Sequence, residues 1–217
     1  MAERQRKRNR WLWMLPVLLC AGAMFLPQRY YTAEELGLIR MESAVDADED
    51  GVEDWTDIVA GARSYIATAP HYRSKYYAGG YPDDGLGVCT DVIWQAFRAA
   101  GYELKDLVDS DISENREAYP FIQTQDSNID FRRVRTLDTF FRRHAQVLTN
   151  ELDDPQQWQG GDIVVFDGGE HIAICSDRRN RHGIPFIIHH GNPIEDAVER
   201  DQIRRQEITG HFRWQGQ

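Results

Sequence analysis

Gly161-Asp162-Ile163-Val164-Val165-Phe166-Asp167-Gly168-Gly169-Glu170-His171-Ile172-Ala173-Ile174-Cys175-Ser176 decides the fold class. Two apolar, β-branched runs flank Gly168-Gly169-Glu170, which suits a tight hairpin connection. Beyond a polar loop from Asp177 to Gly183, Pro185-Phe186-Ile187-Ile188-His189-His190-Gly191 reads as the next strand, and Ile208 to Trp214 as the last. Upstream the period changes. Val92, Ile93, Ala96 and Phe97 form one helical stripe after Cys89, and Gly101 supplies the stop. Ile58, Val59, Ala62, Tyr65 and Ile66 predict a helix after residue 57. Leu137, Phe140, Phe141, Ala145 and Leu148 predict another behind a Thr136 cap. The expected class is α+β, with helices packed on an antiparallel meander.

The chain has 217 residues, 41% hydrophobic and 28% charged, enough for one packed core. Its net charge of −10 argues against nonspecific binding to nucleic acid, so no such partner is expected. Three cysteines exclude a disulfide-dense scaffold. Arg4, Arg6, Lys7, Arg8 and Arg10 stand directly before the apolar run Trp11 to Leu26, with Ala21-Gly22-Ala23 as a possible cleavage site. Residues 1–30 are therefore expected to be a signal peptide or membrane anchor. The rest of the chain is expected to be exported, secreted or held at the membrane on the outer side.

Residues 31–57 read as a linker carrying an acidic loop. Asp46-Ala47-Asp48-Glu49-Asp50-Gly51-Val52-Glu53-Asp54-Trp55-Thr56-Asp57 puts carboxylates at positions 1, 3, 5, 9 and 12, glycine at 6 and the Val52 carbonyl at 7. That spacing wraps hard oxygens around Ca2+. The loop resembles an EF-hand loop, and a dockerin loop more closely because Asp57 stands in place of Glu. Asp46, Asp48, Asp50, Val52, Asp54 and Asp57 are the expected ligands of a structural calcium ion.

Residues 58–217 carry the chemistry. A glycine-rich stretch, Tyr76 to Val88, ends at Cys89, the first residue of its helix. Free N–H groups and the macrodipole at a helix start favour a thiolate. An antiparallel pairing brings His171, opening one strand, beside His189, closing the next. A nucleophile, a base and an orienting group follow from Cys89, His171 and His189, with His190 and Asn192 as competing third residues.

Tyr77-Ala78-Gly79-Gly80, Gly87-Val88-Cys89-Thr90-Asp91, Gly161 to Phe166, His171-Ile172-Ala173-Ile174 and Ile188-His189 resemble the motifs of NlpC-type and CHAP cysteine peptidases, which have a papain-like fold. Cys89-Thr90-Asp91-Val92, Asn128 to Val134 and Ile208-Thr209-Gly210-His211-Phe212 resemble a bacterial domain family of unknown function in the same superfamily, over residues 58–214. The resemblance implies Cys89 as nucleophile, His171 as base, His189 as orienter and Tyr77 as a pocket residue near the oxyanion. It also implies a peptide-like substrate in peptidoglycan and no catalytic cofactor. Thr90-Asp91 replaces the usual Ser-Gly, which marks Asp91 as a pocket candidate. About fifty residues, 103–158, are inserted before the sheet. There Arg132 and Arg133 are the candidates for a guanidinium clamp on a substrate carboxylate or phosphate. Two other readings compete: a zinc hydrolase built on His171, Cys175, His189 and His190, and a cell-wall-binding domain without turnover.

Overall fold

The computed structural model describes residues 28–191 and 197–216, with the α-helices preceding the strands of the main sheet. The expected export segment lies almost wholly outside the described residues. Four α-helices are described: α1, Asp54–Ala67; α2, Cys89–Ala99; α3, Leu104–Glu114; and α4, Val134–His144. Two short strands, β1 (His71–Tyr72) and β2 (Leu86–Gly87), form a parallel pair. The main sheet holds β3 (Gln146–Val147), β4 (Ile163–Phe166), β5 (His171–Arg179), β6 (Pro185–His190), β7 (Ala197–Arg200) and β8 (Ile208–Arg213). Its strand order is β3-β8-β4-β5-β6-β7, antiparallel throughout. The fold is α+β, as expected.

Strand alternation splits the core into two layers. Ile163, Val165, Ile172, Ile174 and Ile188 face α1 and α2, together with Phe212 and Trp214. Val164, Phe166, Ala173, Cys175 and Ile187 face the other way, against Trp158, Ile184 and Ile203. Both faces are covered, so β4 reads as a continuous apolar run rather than an alternating one. Asp162 sits buried at the head of β4, accepting from Gln159 N (2.7 Å), His211 Nε2 (2.9 Å) and Arg213 Nε (2.7 Å). It ties β8 to the strand that the hairpin begins.

α1 and α2 cross closely at Gly61, where a Cβ would stand 2.5 Å from Ala99 Cβ. Only glycine permits that approach, and it presses both helices onto the sheet. Residues 31–57 lie against the domain rather than standing off as a stalk. Tyr31 exchanges backbone hydrogen bonds with Arg179 (2.9 and 2.8 Å), Met41 N donates to Gln159 Oε1 (3.1 Å), and Trp55 Nε1 donates to the Trp214 carbonyl (2.6 Å).

Three elements differ from expectation. α4 begins at Val134 and ends at His144, so Thr136 lies inside the helix, and the chain turns extended at Ala145 before reaching Leu148. α3 was not expected; it buries Leu104, Val108 and Ile112 at four-residue spacing, a stripe too narrow to stand out among acids. β5 runs on to Arg179, through residues that read as loop, because β6 and Tyr31 supply its partners there.

Candidate active site

α2 starts at Cys89, and the chain enters it extended at Val88. Val88 N–H donates to Asp91 Oδ2 (2.8 Å), closing the first turn. The Cys89 thiol faces the backbone N–H groups of Ile172, Thr90 and Cys89 itself. Ile172 is peptide-bonded to His171, so the helix start meets β5 beside the histidine. The β5–β6 register begins at Ile174↔Ile188. Past that pair the strand edge offers its Ile172 N–H to sulfur.

His171 and His189 lie on the same side of the sheet and are joined by a hydrogen bond, Nε2 to Nδ1, of 2.9 Å. His189 Nε2 in turn meets Gln202 Oε1 at 2.9 Å. A carbonyl oxygen only accepts, so His189 carries its proton on Nε2 and leaves Nδ1 bare. That bare nitrogen accepts from His171 Nε2–H. His171 Nδ1 therefore keeps its lone pair. Cys89, His171 and His189 are 6%, 7% and 4% exposed, so the chain of groups is dry. Burial, with the neighbouring His189 charge second, lowers the His171 pKa to about 3, and burial raises Cys89 to about 11. At neutral pH the pair rests as thiol and imidazole, and no hydrogen bond joins the two side chains among the described residues.

His190, next in sequence, faces the opposite way. Its Nδ1 lies 3.2 Å from the Tyr65 hydroxyl and its ring is edge-on to Tyr72 at 5.2 Å. It shares the helix side of the sheet with Cys89, and His189 takes the third place beside His171. Asn192 lies outside the described residues. Gln202 was not foreseen: it sits in the turn between β7 and β8, and no spacing or motif marks it.

The expected substrate pocket is mostly spent on scaffold. Asp91 is fully buried and accepts from Trp94 Nε1 (2.7 Å) and from Arg132 Nε (2.7 Å) and Nη2 (2.9 Å), besides capping α2. Arg132 also donates to the Lys75 carbonyl (3.0 Å), so both arms of its fork are occupied. Arg133 lies at the surface on Asp130 at 3.0 Å. Tyr77 is buried beneath Arg132, and its hydroxyl donates to Asp84 Oδ1 (2.7 Å). In an acidic protein the arginines find the protein's own carboxylates first.

Asp46, Asp48 and Asp50 have ligand oxygens within 4.8 Å of one another, and among the described residues they form the single such group. The zinc quartet His171, Cys175, His189 and His190 does not assemble. Asp46 accepts from Gly51 N (2.9 Å) and Asp50 accepts from Val52 N (2.8 Å), which winds the loop around the carboxylates. Gly51 has φ of 94°, the left-handed turn that position 6 requires. Asp57 projects toward the group from α1; burial first, then Asp50, Asp48 and Asp46, raise its pKa to about 6. Asp54 departs from expectation. It is buried and accepts from Ala47 N (2.9 Å) and from the Tyr102 hydroxyl, so it braces the loop from behind.

Residues 59–214 match a domain of unknown function, DUF1287, and the chain belongs to that family. It is 36% identical over 167 residues to the uncharacterized protein YijF of Escherichia coli strain K12, an alignment covering 72% of this chain and 80% of that protein. The family span contains Cys89, His171, His189 and Gln202 and starts after the acidic loop.

Proposed function

We propose that this member of the DUF1287 family is an exported thiol hydrolase of the NlpC-type, papain-like kind, cleaving an amide bond in peptidoglycan peptides. One observation carries the reading: the Cys89 sulfur, at the start of α2, meets the backbone N–H of Ile172, one residue from an imidazole that His189 and Gln202 hold in place. In the reaction, Sγ–H breaks and its proton passes to His171 Nδ1. The thiolate forms a bond to the amide carbonyl carbon. The N–H groups at the start of α2 receive the developing oxyanion. The His171 imidazolium returns the proton to the amine nitrogen as the C–N bond breaks. Water, losing a proton to the same nitrogen, then attacks the thioester and releases acid and free thiol.

The test is reaction with a thiol-directed electrophile, alongside digestion of purified wall peptides. Cys89 should be the residue that labels in the parent, and His171→Ala should slow that labelling. Cys89→Ala should abolish turnover, and His171→Ala should lower it by about 10²–10⁴. Turnover surviving in Cys89→Ala would overturn the assignment.

Calcium is the second reading, favoured by the three converging carboxylates. Asp46, Asp48, Asp50, Asp57 and the Val52 carbonyl would hold it, and the ion would serve structure by fastening residues 31–57 to α1. Calcium should raise the melting temperature of the parent and leave that of Asp46→Ala with Asp50→Ala unchanged. A parent indifferent to calcium would remove the claim.

A further inference from the structure

On the helix side of the sheet, the Tyr65–His190 pair is unused by the chain of groups described above. Tyr65 projects from α1, largely buried, and its hydroxyl fills the space above Gly87, two residues before Cys89. A Cβ at position 87 would lie 2.0 Å from that hydroxyl, and the Asp91 carboxylate flanks the same space. Gly87 therefore exists as a notch for Tyr65. His190 stands behind the hydroxyl at 3.2 Å, and Tyr72 closes the His190 ring edge-on. Tyr65 and Cys89 belong to the same buried cluster on this side of the sheet, and the hydroxyl lies against the backbone two residues before the sulfur. Tyr77, the expected pocket tyrosine, spends its hydroxyl hydrogen bond on Asp84.

We propose that Tyr65, backed by His190, is a second hydrogen-bond donor to the Cys89 sulfur, acting from the face of the sheet opposite the His171 base. His190 Nδ1–H donates to the Tyr65 oxygen, and the Tyr65 O–H turns to the thiolate once its proton has gone to His171. No covalent bond of Tyr65 changes. The device rests on the Cys–His reading and deepens it: one imidazole takes the proton, and the other steadies the anion left behind. Burial keeps Tyr65 protonated well above its ordinary range, so it remains a donor across physiological pH. The charged or titratable groups facing the sulfur and this pair are Tyr65 from α1, Tyr72 from β1, Tyr77 from the glycine-rich loop, Asp91 from α2, Arg132, His171 from β5, and His189 and His190 from β6.

The experiment is a pH titration of Cys89 thiolate by ultraviolet absorbance, taken as a difference against Cys89→Ala. It is paired with the pH profile of alkylation by iodoacetamide and with thermal melting. Losing one charge-assisted hydrogen bond should raise the thiolate midpoint in Tyr65→Phe by about one pH unit and slow neutral-pH alkylation about tenfold. Gly87→Ala should move it in the same direction. His190→Gln, which keeps an N–H donor, should stay nearer the parent than His190→Ala. If Tyr65→Phe melts as the parent and titrates with it while His171→Ala does not, the Tyr65 proposal falls and the Cys–His reading stands. If the parent thiol titrates and labels as a free cysteine and His171→Ala changes nothing, both fall. Should Tyr65→Phe fail to fold, the contrast between His190→Gln and His190→Ala decides: equal midpoints overturn the proposal.

Discussion

The start of α2 and the loop of residues 46–57 are both built on carboxylates, and they handle them in opposite ways. At α2 one buried aspartate meets one buried guanidinium, two donors of Arg132 on two oxygens of Asp91. In the loop, Asp46, Asp48, Asp50 and Asp57 converge, and among the described residues no ion pair reaches any of them. The first arrangement is complete within the chain and holds the start of α2 in place. The second carries converging negative charge with no arginine or lysine against it among the described residues. Acidic residues of similar appearance in the sequence thus divide into those held by donors of the chain, such as Asp91, and those left converging at the surface, such as Asp46, Asp48 and Asp50. The His171–His189–Gln202 chain is a third solution, in which burial prevents the charge from forming at all.

The largest expected effect breaks the complete side of this contrast. Arg132→Ala leaves Asp91 buried and unpaired, and should cost about 3–5 kcal/mol in chemical denaturation. A loss below about 1 kcal/mol would mean that Asp91 is not held as a charge. On the open side, calcium at about 100 times its Kd should add about 2.7 kcal/mol. In a domain of this size that is about 5–10 °C of melting temperature. Magnesium, which demands tighter geometry, should do less. No calcium shift would leave the loop's charge unanswered and the contrast without its second term.

The third solution has its own sign. His171 binds its proton less readily folded than unfolded, so the unfolded chain takes up more protons between pH 6.5 and about 3. Stability contributed by neutral His171 is complete above pH 6.5 and lost as the pH falls toward 3. By pH 5 the loss is about 2 kcal/mol, read as a lower urea midpoint. His171→Gln should remove that slope; an unchanged slope would assign it to other groups. The smallest effect sharpens the tautomer argument. Gln202→Leu removes one buried hydrogen-bond acceptor from His189, and should slow Cys89 alkylation about tenfold while His171 and the fold remain. A parent-like rate would show that the proton positions are set without Gln202.

Much of this was legible before folding. The apolar, β-branched runs around Gly168-Gly169, and the stripe behind Cys89, specify local geometry through near neighbours, so β4, β5 and α2 were foreseen. Cys89 at a helix start and His171 at a strand start are local facts too. Asp91 and Arg132 were misread because 41 positions separate them, and nothing in either segment announces the other. Asp54 looked like a loop ligand because spacing cannot tell which side of a helix start a carboxylate will take.

By itself, the sequence determined where the chain would turn, wind and extend, and which residue types could do nucleophilic chemistry, since periodicity and turn residues act over a few positions. Tertiary structure decided which of two adjacent histidines meets His171 and which meets Tyr65. It also recruited Gln202 and settled which carboxylates are paired. Those outcomes depend on strand register and on contacts between distant segments, where a shift of one residue sends a side chain to the other face of the sheet.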